Sequence, residues 1–454
     1  MTNILMTTHG TSGDVVPLLS VGQALSARGH SVTLITHSHY ADLARQAGMD
    51  FIALDQPAEF EAYMEDTSLL HTPSGQIDFF KRQNLPKARL EYHYIRERHQ
   101  PGETLIISSH LFGLGGQLAA EKLNLPLVRI FIAVANLARL ELLEKTCANF
   151  LAADINRVRA ELELTPVHDW HAWLRMPNQN IGSWPEWFAP PEPGWPAELA
   201  PVGFLTFDTG ETGTLPEAFQ EFLTHGEPPI LITGGTGRYI RSDFFSASIQ
   251  ACLRLGRRAI LVTRYPQQVP HPLPDQVQWF PALPFATLMP HVALVIHHGG
   301  TSTLARAMAA GIPQLALAAG ADRVDTAQRL QRLGVAEYLP PAQWQPERIA
   351  EALKRLLESV GVQARCQEFA RRLQNSNPAL QACQVVEELL TRHSTPHLKP
   401  TRPVYSANLD SSSPPLPTEA LRPADKHWNS LSPERQALLA LRLKKHQRNS
   451  RKAS

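Results

Sequence analysis

Cysteine is scarce in this chain. Cys147, Cys252, Cys366 and Cys383 form no CxxC pair and no metal-binding spacing. That excludes a disulfide scaffold and a zinc ribbon and leaves ordinary reduced core thiols. Net charge is also nearly absent: 43 Lys and Arg against 42 Asp and Glu give +1. No global field draws such a chain to nucleic acid or to an acidic membrane. No window approaches the roughly 20 uninterrupted apolar residues of a membrane span. The N-terminus runs directly into Asn3-Ile4-Leu5-Met6-Thr7-Thr8. It lacks the basic n-region and apolar h-region of a secretory signal, so the expected location is the cytoplasm. Two nucleotide fingerprints are missing as well. The first turn, His9-Gly10-Thr11-Ser12-Gly13-Asp14-Val15-Val16-Pro17, is neither GxGxxG nor a P-loop. That sets aside a nicotinamide-dependent oxidoreductase and a P-loop NTPase at this position.

What is present is a strong α/β alternation. The chain has 454 residues, of which 43% are hydrophobic, enough for real cores. The length prior is about three domains, or two larger ones plus a tail. Strands are expected at 3–8, 31–36, 51–54, 104–108 and 127–132, with helices over 15–28 (stopped by Gly29) and 39–47. Residues 165–200, rich in proline and holding Trp170, Trp173, Trp184, Trp187 and Trp195, read as loops leading to a domain junction. These tryptophans suit either an apolar acceptor pocket or core packing at that junction. The alternation then restarts, with strands at 229–233, 258–263, 277–280, 293–297 and 314–318 and helices at 242–255, 302–310, 323–332 and 346–358. Strands separated by helices argue for parallel sheets, with ligands beyond the carboxyl ends of the strands. A cleft between two such units is the expected site.

The end of the chain differs in kind. Residues 394–427 form a Pro/Ser-rich linker. Residues 428–454 form a short basic tail, with Ser432 as N-cap and Pro433 at the first helical position. It reads as a solvated terminal helix or as a helix that docks a partner through 428–446.

Four loops can carry chemistry. In the first, Asp14 stands at the start of a helix, either as a carboxylate stabilised by the helix dipole or as a general base. His9 is the alternative base, a helper or a strand-end residue. The second, Thr233-Gly234-Gly235-Thr236-Gly237-Arg238, presents backbone N–H groups to phosphate or is a plain turn. The third is the most informative: an apolar run ends at His297-His298, and Gly299-Gly300 lets the backbone approach a ligand. Thr301-Ser302-Thr303 then opens a helix whose free N–H groups favour an anion. His297 reads as packing into the sheet. In the fourth, Gly320-Ala321-Asp322-Arg323, the carboxylate either accepts from sugar hydroxyls or caps the following helix.

These residues resemble the nucleotide-sugar-dependent glycosyltransferases of GT-B fold, the family of antibiotic glycosyltransferases, sterol glucosyltransferases and rhamnolipid rhamnosyltransferases. The resemblance covers about 1–393 and is most specific over Phe280–Leu339. There Leu283-Pro284-Phe285, Leu288-Met289-Pro290, the His298 loop, Ala310-Gly311-Ile312-Pro313-Gln314 and Asp322 fall in the family's order. It implies two Rossmann-like domains with parallel sheets facing an inter-domain cleft. These are an acceptor-binding domain over 1–200 and a nucleotide-sugar-binding domain over 201–393, whose last helix can pack back on the first domain. Val202-Gly203-Phe204 is similar to the start of the family's inter-domain linker.

The resemblance also implies residue roles. Asp14 is the base that activates the acceptor hydroxyl, with His9 and Gly13 beside it on the acceptor side. On the donor side Gly235 and Thr236 lie near the phosphates, Leu283 near the base, and His298, Gly299, Gly300, Ser302 and Thr303 at the diphosphate. Asp322 and Arg323 stand at the sugar. Arg323 is a departure, since the family usually carries Gln there; Ser302 and Phe285 are two more. Leu431–Leu439 resembles linker segments of modular peptide and polyketide synthases. The implied reaction is inverting transfer of a hexose or deoxyhexose from a UDP- or dTDP-linked sugar to a hydroxyl of a lipid or secondary-metabolite acceptor. The nucleotide sugar is a co-substrate, and no separate cofactor is expected. No Asp-x-Asp motif is visible, so no metal is expected either. The alternatives are a nucleotide-sugar epimerase of the same fold and a non-catalytic auxiliary partner of a biosynthetic enzyme.

Overall fold

In β1 (Asn3–Thr7), Ile4, Leu5 and Met6 are enclosed on both faces. Such a strand belongs inside a parallel sheet covered by helices on either side. The structure, a computed structural model, describes residues 1–394 except 111, 112, 197, 208–214, 225 and 239. After β1 the main elements are α1 (Ser12–Ala27), β2 (Ser31–Thr36), β3 (Asp50–Ala53), α2 (Pro57–Asp66) and α3 (Leu85–Arg98). Then come β4 (Thr104–Ser109), α4 (Leu114–Leu123), β5 (Leu127–Phe131), α5 (Val134–Ala138), α6 (Trp170–Leu174), β6 (Gln179–Gly182) and β7 (Leu199–Pro201). The strands form one sheet in the order β3-β2-β1-β4-β5-β6-β7, and every pairing is parallel.

The second sheet repeats the plan. It is built from β8 (Ile230–Thr233), α7 (Ser242–Arg254), β9 (Ala259–Val262), β10 (Val277–Phe280), β11 (Leu294–His297) and α8 (Thr301–Ala309), then β12 (Gln314–Leu317), α9 (Ala321–Arg332), β13 (Ala336–Leu339), α10 (Pro346–Glu358), α11 (Val360–Gln374) and α12 (Pro378–Ser394). Its order is β10-β9-β8-β11-β12-β13, again all parallel. Strand order reverses between β1 and β4 in one sheet and between β8 and β11 in the other. A crevice opens beyond the carboxyl ends at each reversal. The α/β architecture expected from the alternation is therefore what the chain adopts.

The stretch 165–200 corrects the sequence reading. It holds α6 and the last two strands of the first sheet, β6 and the edge strand β7, rather than loops alone. Gln179-Asn180-Ile181-Gly182 carries little apolar signal, and its polar groups are met locally: Gln179 Nε2 donates to the Glu198 carbonyl at 2.7 Å. Pro201 is tolerated because β7 is the edge of the sheet.

The chain passes between the sheets twice. After β7, Val202, Leu205 and Phe207 still pack in the first core, so a division at 200/201 cuts through β7. On the return, α12 brings Ala382, Cys383, Val386 and Leu389 into that same core. The two passes touch at Gly203 (φ +106°), where a Cβ would come within 2.8 Å of Pro378. Arg28, the C-cap of α1, grips Glu387 on α12 through two bonds of 2.6 and 2.7 Å.

A shared apolar cluster also joins the halves. Phe131, Leu137, Trp184 and Phe188 from the first meet Leu304, Met308 and Phe369 from the second. Trp184 is 1% exposed, and the Trp187 ring lies tilted at 4.8 Å from that of Phe369. These two tryptophans thus take the core-packing reading; Trp170 and Trp173 belong to a separate cluster under α3 and α4. No helix among the described residues is long and apolar enough to cross a membrane. Apart from Ser394 at the end of α12, the linker and the basic tail lie outside the described residues. Trp184→Ala should cost about 3–5 kcal/mol in urea unfolding. Glu387→Gln, which removes a largely exposed ion pair, should cost under about 1 kcal/mol.

Candidate active site

The loop between β1 and α1 is shaped by its helix cap. Thr11 is the N-cap, and Asp14, three residues on, reaches back to it. Asp14 Oδ2 accepts from the Thr11 backbone N–H at 2.8 Å and from its hydroxyl at 3.1 Å. This reciprocal box starts α1 at Ser12, earlier than the apolar pattern expects. The carboxylate folds over Gly10 (φ +134°), where a Cβ would lie 2.4 Å from Oδ2, so only glycine fits. Burial raises the Asp14 pKa to about 6 against the two Thr11 bonds that lower it. Asp322 pushes it further up and Arg323 pulls it down, so the β1–α1 loop is within electrostatic reach of the second sheet. The helix-start reading of Asp14 holds, as a cap. His9 is buried and kept neutral by burial, with smaller contributions from His37 and Lys87. Gly13 is exposed, with room for a side chain.

On the second sheet, the β8 and β11 loops interlock. The His298 ring lies between two glycines: a Cβ on Gly235 would fall 2.5 Å from its Cε1, and one on Gly300 2.6 Å from its Nε2. Gly235 also adopts φ +70° and donates its N–H to Thr233 Oγ1 at 3.1 Å. Gly299 (φ +93°) lies against the next loop, since a Cβ there would be 2.9 Å from the Arg323 carbonyl. These contacts bring Gly235, His298, Gly299, Gly300 and Arg323 to one place. His298 is held neutral by burial and by the charges of Arg323 and His297, and its buried Nδ1 has no partner among the described residues.

The remaining residues differ in what they can offer. His297 is fully buried, and its Nδ1 accepts the Gly299 N–H at 3.1 Å, which shapes the turn. Gly300 is the N-cap of α8 without a side-chain cap, so the first N–H groups of that helix are left available. Ser302 is half-buried beside Arg306, and Thr303, 6% exposed, has little surface left for a ligand. Asp322 is exposed at the start of α9, and Thr236 is half-buried. Leu283 packs apart from these loops, among Phe280, Leu288 and Met289. Arg238 spans the halves toward Glu61 at 3.5 Å and Glu65 at 3.4 Å. Among the described residues, no group of three His, Cys, Asp or Glu side chains gathers to hold a metal.

Sequence reading missed a buried pair in the first half. His37 Nδ1 is bonded to Asp55 Oδ2, and Asp55 Oδ1 accepts the Ser38 N–H at 2.8 Å. The His37 ring lies 6.0 Å from that of His9 and 4.5 Å from that of Tyr63. The available signal was position: His37 and Asp55 follow β2 and β3 at the carboxyl edge where Asp14 follows β1.

Residues 4–91 match the glycosyltransferase family 28 N-terminal domain, and residues 259–390 match the C-terminal domain of erythromycin biosynthesis protein CIII-like proteins. The chain is 27% identical over 429 residues to the O-mycaminosyltylonolide 6-deoxyallosyltransferase of Streptomyces fradiae, covering 87% of this chain and 99% of that one. It is 24% identical over 426 residues to a sterol 3-beta-glucosyltransferase of Arabidopsis thaliana, covering 86% and 68%. Among solved structures, the calicheamicin glycosyltransferase CalG4 superposes with a TM-score of 0.66 at 23% identity, over 87% of this chain and 100% of that one. The spinosyn forosaminyltransferase SpnP gives 0.68 at 20% identity, over 86% and 99%. With these family matches and relatives, the chain is a sugar-transferring enzyme of GT-B fold. The chain belongs, within that class, to the nucleotide-sugar glycosyltransferases of the antibiotic type.

Gly235→Ala tests the interlock. The added methyl meets the His298 ring and the positive φ costs about 1–2 kcal/mol. The protein should remain folded, while sugar transfer falls on the order of 100-fold because the ring is displaced. Chemical denaturation and a transfer assay read the two effects separately.

Proposed function

We propose that this glycosyltransferase moves a hexose or deoxyhexose, with inversion at the anomeric carbon, from a UDP- or dTDP-linked sugar to a hydroxyl of a lipid or secondary-metabolite acceptor. The observation that carries this reading is the setting of Asp14. Thr11 holds one carboxylate oxygen, the other has no hydrogen bond among the described residues, and the group feels Asp322 and Arg323 of the opposite half. A base fixed by a helix cap cannot swing away from its substrate. The relatives' names support the substrate class: they transfer deoxyallosyl, rhodosaminyl and glucosyl groups to a tylonolide derivative, to aklavinone and to sterols.

In this mechanism Asp14 takes the proton of the acceptor hydroxyl as its oxygen bonds to the anomeric carbon. The bond from that carbon to the diphosphate oxygen breaks on the opposite face. Negative charge grows on the leaving diphosphate, where His298 donates an N–H and the uncapped start of α8 adds backbone N–H groups. His298 is neutral before the donor arrives, so it adds a donor without repelling Arg323. Asp322 accepts from the donor sugar's hydroxyls, and Arg323 places a cation where relatives of the resembled family carry Gln. With the leaving group served by these donors, the reaction is proposed to need no divalent metal.

The pH dependence follows from Asp14. Its carboxyl pKa is raised to about 6, so the ionised, proton-accepting form dominates above that value and is lost as pH falls through it. The acidic limb of kcat/KM should therefore lie near pH 6. Asp14→Asn should remove the limb and lower transfer about 10²–10⁴-fold at pH 7.5. Because a raised carboxyl pKa means that ionisation opposes folding at neutral pH, Asp14→Asn should unfold no more readily than the wild type at pH 8. His298→Ala should lower kcat about 10²–10³-fold, and EDTA should leave the rate unchanged. Wild-type rates in the Asp14→Asn variant, or a product with retained anomeric configuration, would sink the mechanism.

A further inference from the structure

The Gly10–Thr11 peptide is gripped at both ends. Its carbonyl accepts from the Tyr40 hydroxyl at 3.2 Å, and its N–H donates to Asp14 Oδ2 at 2.8 Å. The carbonyl and the N–H of a trans peptide share one plane and point opposite ways, so the two bonds act on one rigid unit. Gly10 has no side chain to restrict the rotation of that plane. Tyr40 supplies the restraint that the glycine lacks.

Tyr40 is itself fixed from the neighbouring strands. It closes the single turn Ser38–Tyr40 after β2, where its N–H donates to the His37 carbonyl at 3.0 Å. Asp55, just beyond β3, pins the start of that turn. Its Oδ1 accepts from the Ser38 N–H at 2.8 Å, and its Oδ2 is bonded to His37 Nδ1. Tyr40, His37 and Asp55 are all buried, and the Tyr40 ring meets that of Phe60 edge-on at 6.0 Å. Burial pushes the Tyr40 pKa up, so the hydroxyl keeps its proton and stays a donor. The ends of β3, β2 and β1 are thus joined in turn: Asp55 to the His37 turn, Tyr40 to Gly10, Thr11 to Asp14.

We propose that Tyr40 is a positioning residue for the base. Through the Gly10–Thr11 peptide it keeps the Thr11 N–H on Asp14, and the buried His37–Asp55 pair keeps Tyr40 in place. The word "base" rests on the reaction proposed above; the grip on the carboxylate does not.

Tyr40→Phe removes one oxygen and leaves the ring. The other groups that face the two side chains stay as they are: Asp322, Arg323 and Tyr63 toward Asp14, and Ser12, Arg264 and Tyr265 toward Tyr40. With the peptide freed, the Thr11 bond that lowers the Asp14 pKa is held less well, so the carboxyl rises from about 6. An NMR titration of the Asp14 carboxyl, assigned with Asp14→Asn, should move up by at least about 0.5. The acidic limb of kcat/KM should move up with it, and kcat well above the limb should fall on the order of 10-fold. Asp55→Asn, which loosens the turn and leaves the phenol, should move the titration the same way. Because Tyr40 acts through Asp14, adding Tyr40→Phe to Asp14→Asn should change the residual rate less than about twofold.

The proposal is overturned if Asp14 titrates in Tyr40→Phe where it does in the wild type, if the limb stays in place, or if the two substitutions multiply. A purely structural tyrosine would lower the unfolding midpoint and kcat together with the limb unmoved. The titration needs neither donor nor acceptor, so the two readings fail separately. A wild-type rate in Asp14→Asn sinks the base, and an unmoved titration in Tyr40→Phe sinks the grip.

Discussion

The His298 imidazole occupies the space in which a side chain on Gly235 or Gly300 would have to stand. Most of the site's geometry depends on that fit. It locks the loop after β8 to the loop after β11, on the two sides of the reversal in the second sheet. Gly299 extends the lock to the third loop by admitting the Arg323 carbonyl. The glycines here are sites of close approach, and the group they make room for is the one with a buried, unpartnered nitrogen. A neutral donor held this way needs no rearrangement when charge develops beside it, which is the condition under which electrostatic stabilisation is most effective.

Asp14 shows how one side chain serves folding and chemistry together. One oxygen closes the helix cap while the other is left open, and the cap is what aims the open one. Gly10 is obligatory for the same reason, because the carboxylate lies where its Cβ would be. Burial then sets the protonation midpoint close to the working range of a general base. Arg129 presents the opposite case, a buried charge whose two hydrogen-bond partners, the Leu174 carbonyl and Gln117 Oε1, are both neutral. The helix cap accounts for Asp14 even without a substrate.

Legibility in the sequence followed the strength of the local signal. Strands with continuous apolar runs, such as Ile4-Leu5-Met6 and Leu294–His297, were readable because both faces of a parallel strand are buried. Glycine-rich turns after them were readable because few residues permit the backbone conformations they need. β6 and β7 were not: β6 is short and carries Gln179 and Asn180, and β7 ends in a proline that its edge position tolerates. The His37–Asp55 pair and the Arg129 contacts were silent for another reason. Each is assembled from residues on different elements, and a lone histidine or arginine carries no pattern.

By itself, the sequence determined that there would be two parallel α/β halves and which four loops would stand at strand ends. Periodicity and turn chemistry are local, and they act on the chain before it folds. Only the tertiary structure decided that the three loops of the second sheet meet, that the chain crosses back through α12 to complete the first core, and that Trp184 joins the halves instead of lining a pocket. Those outcomes depend on contacts between residues far apart in the sequence, such as Gly203 with Pro378 and Trp187 with Phe369. They are set by which surfaces can be buried together, and no short stretch of sequence carries that information.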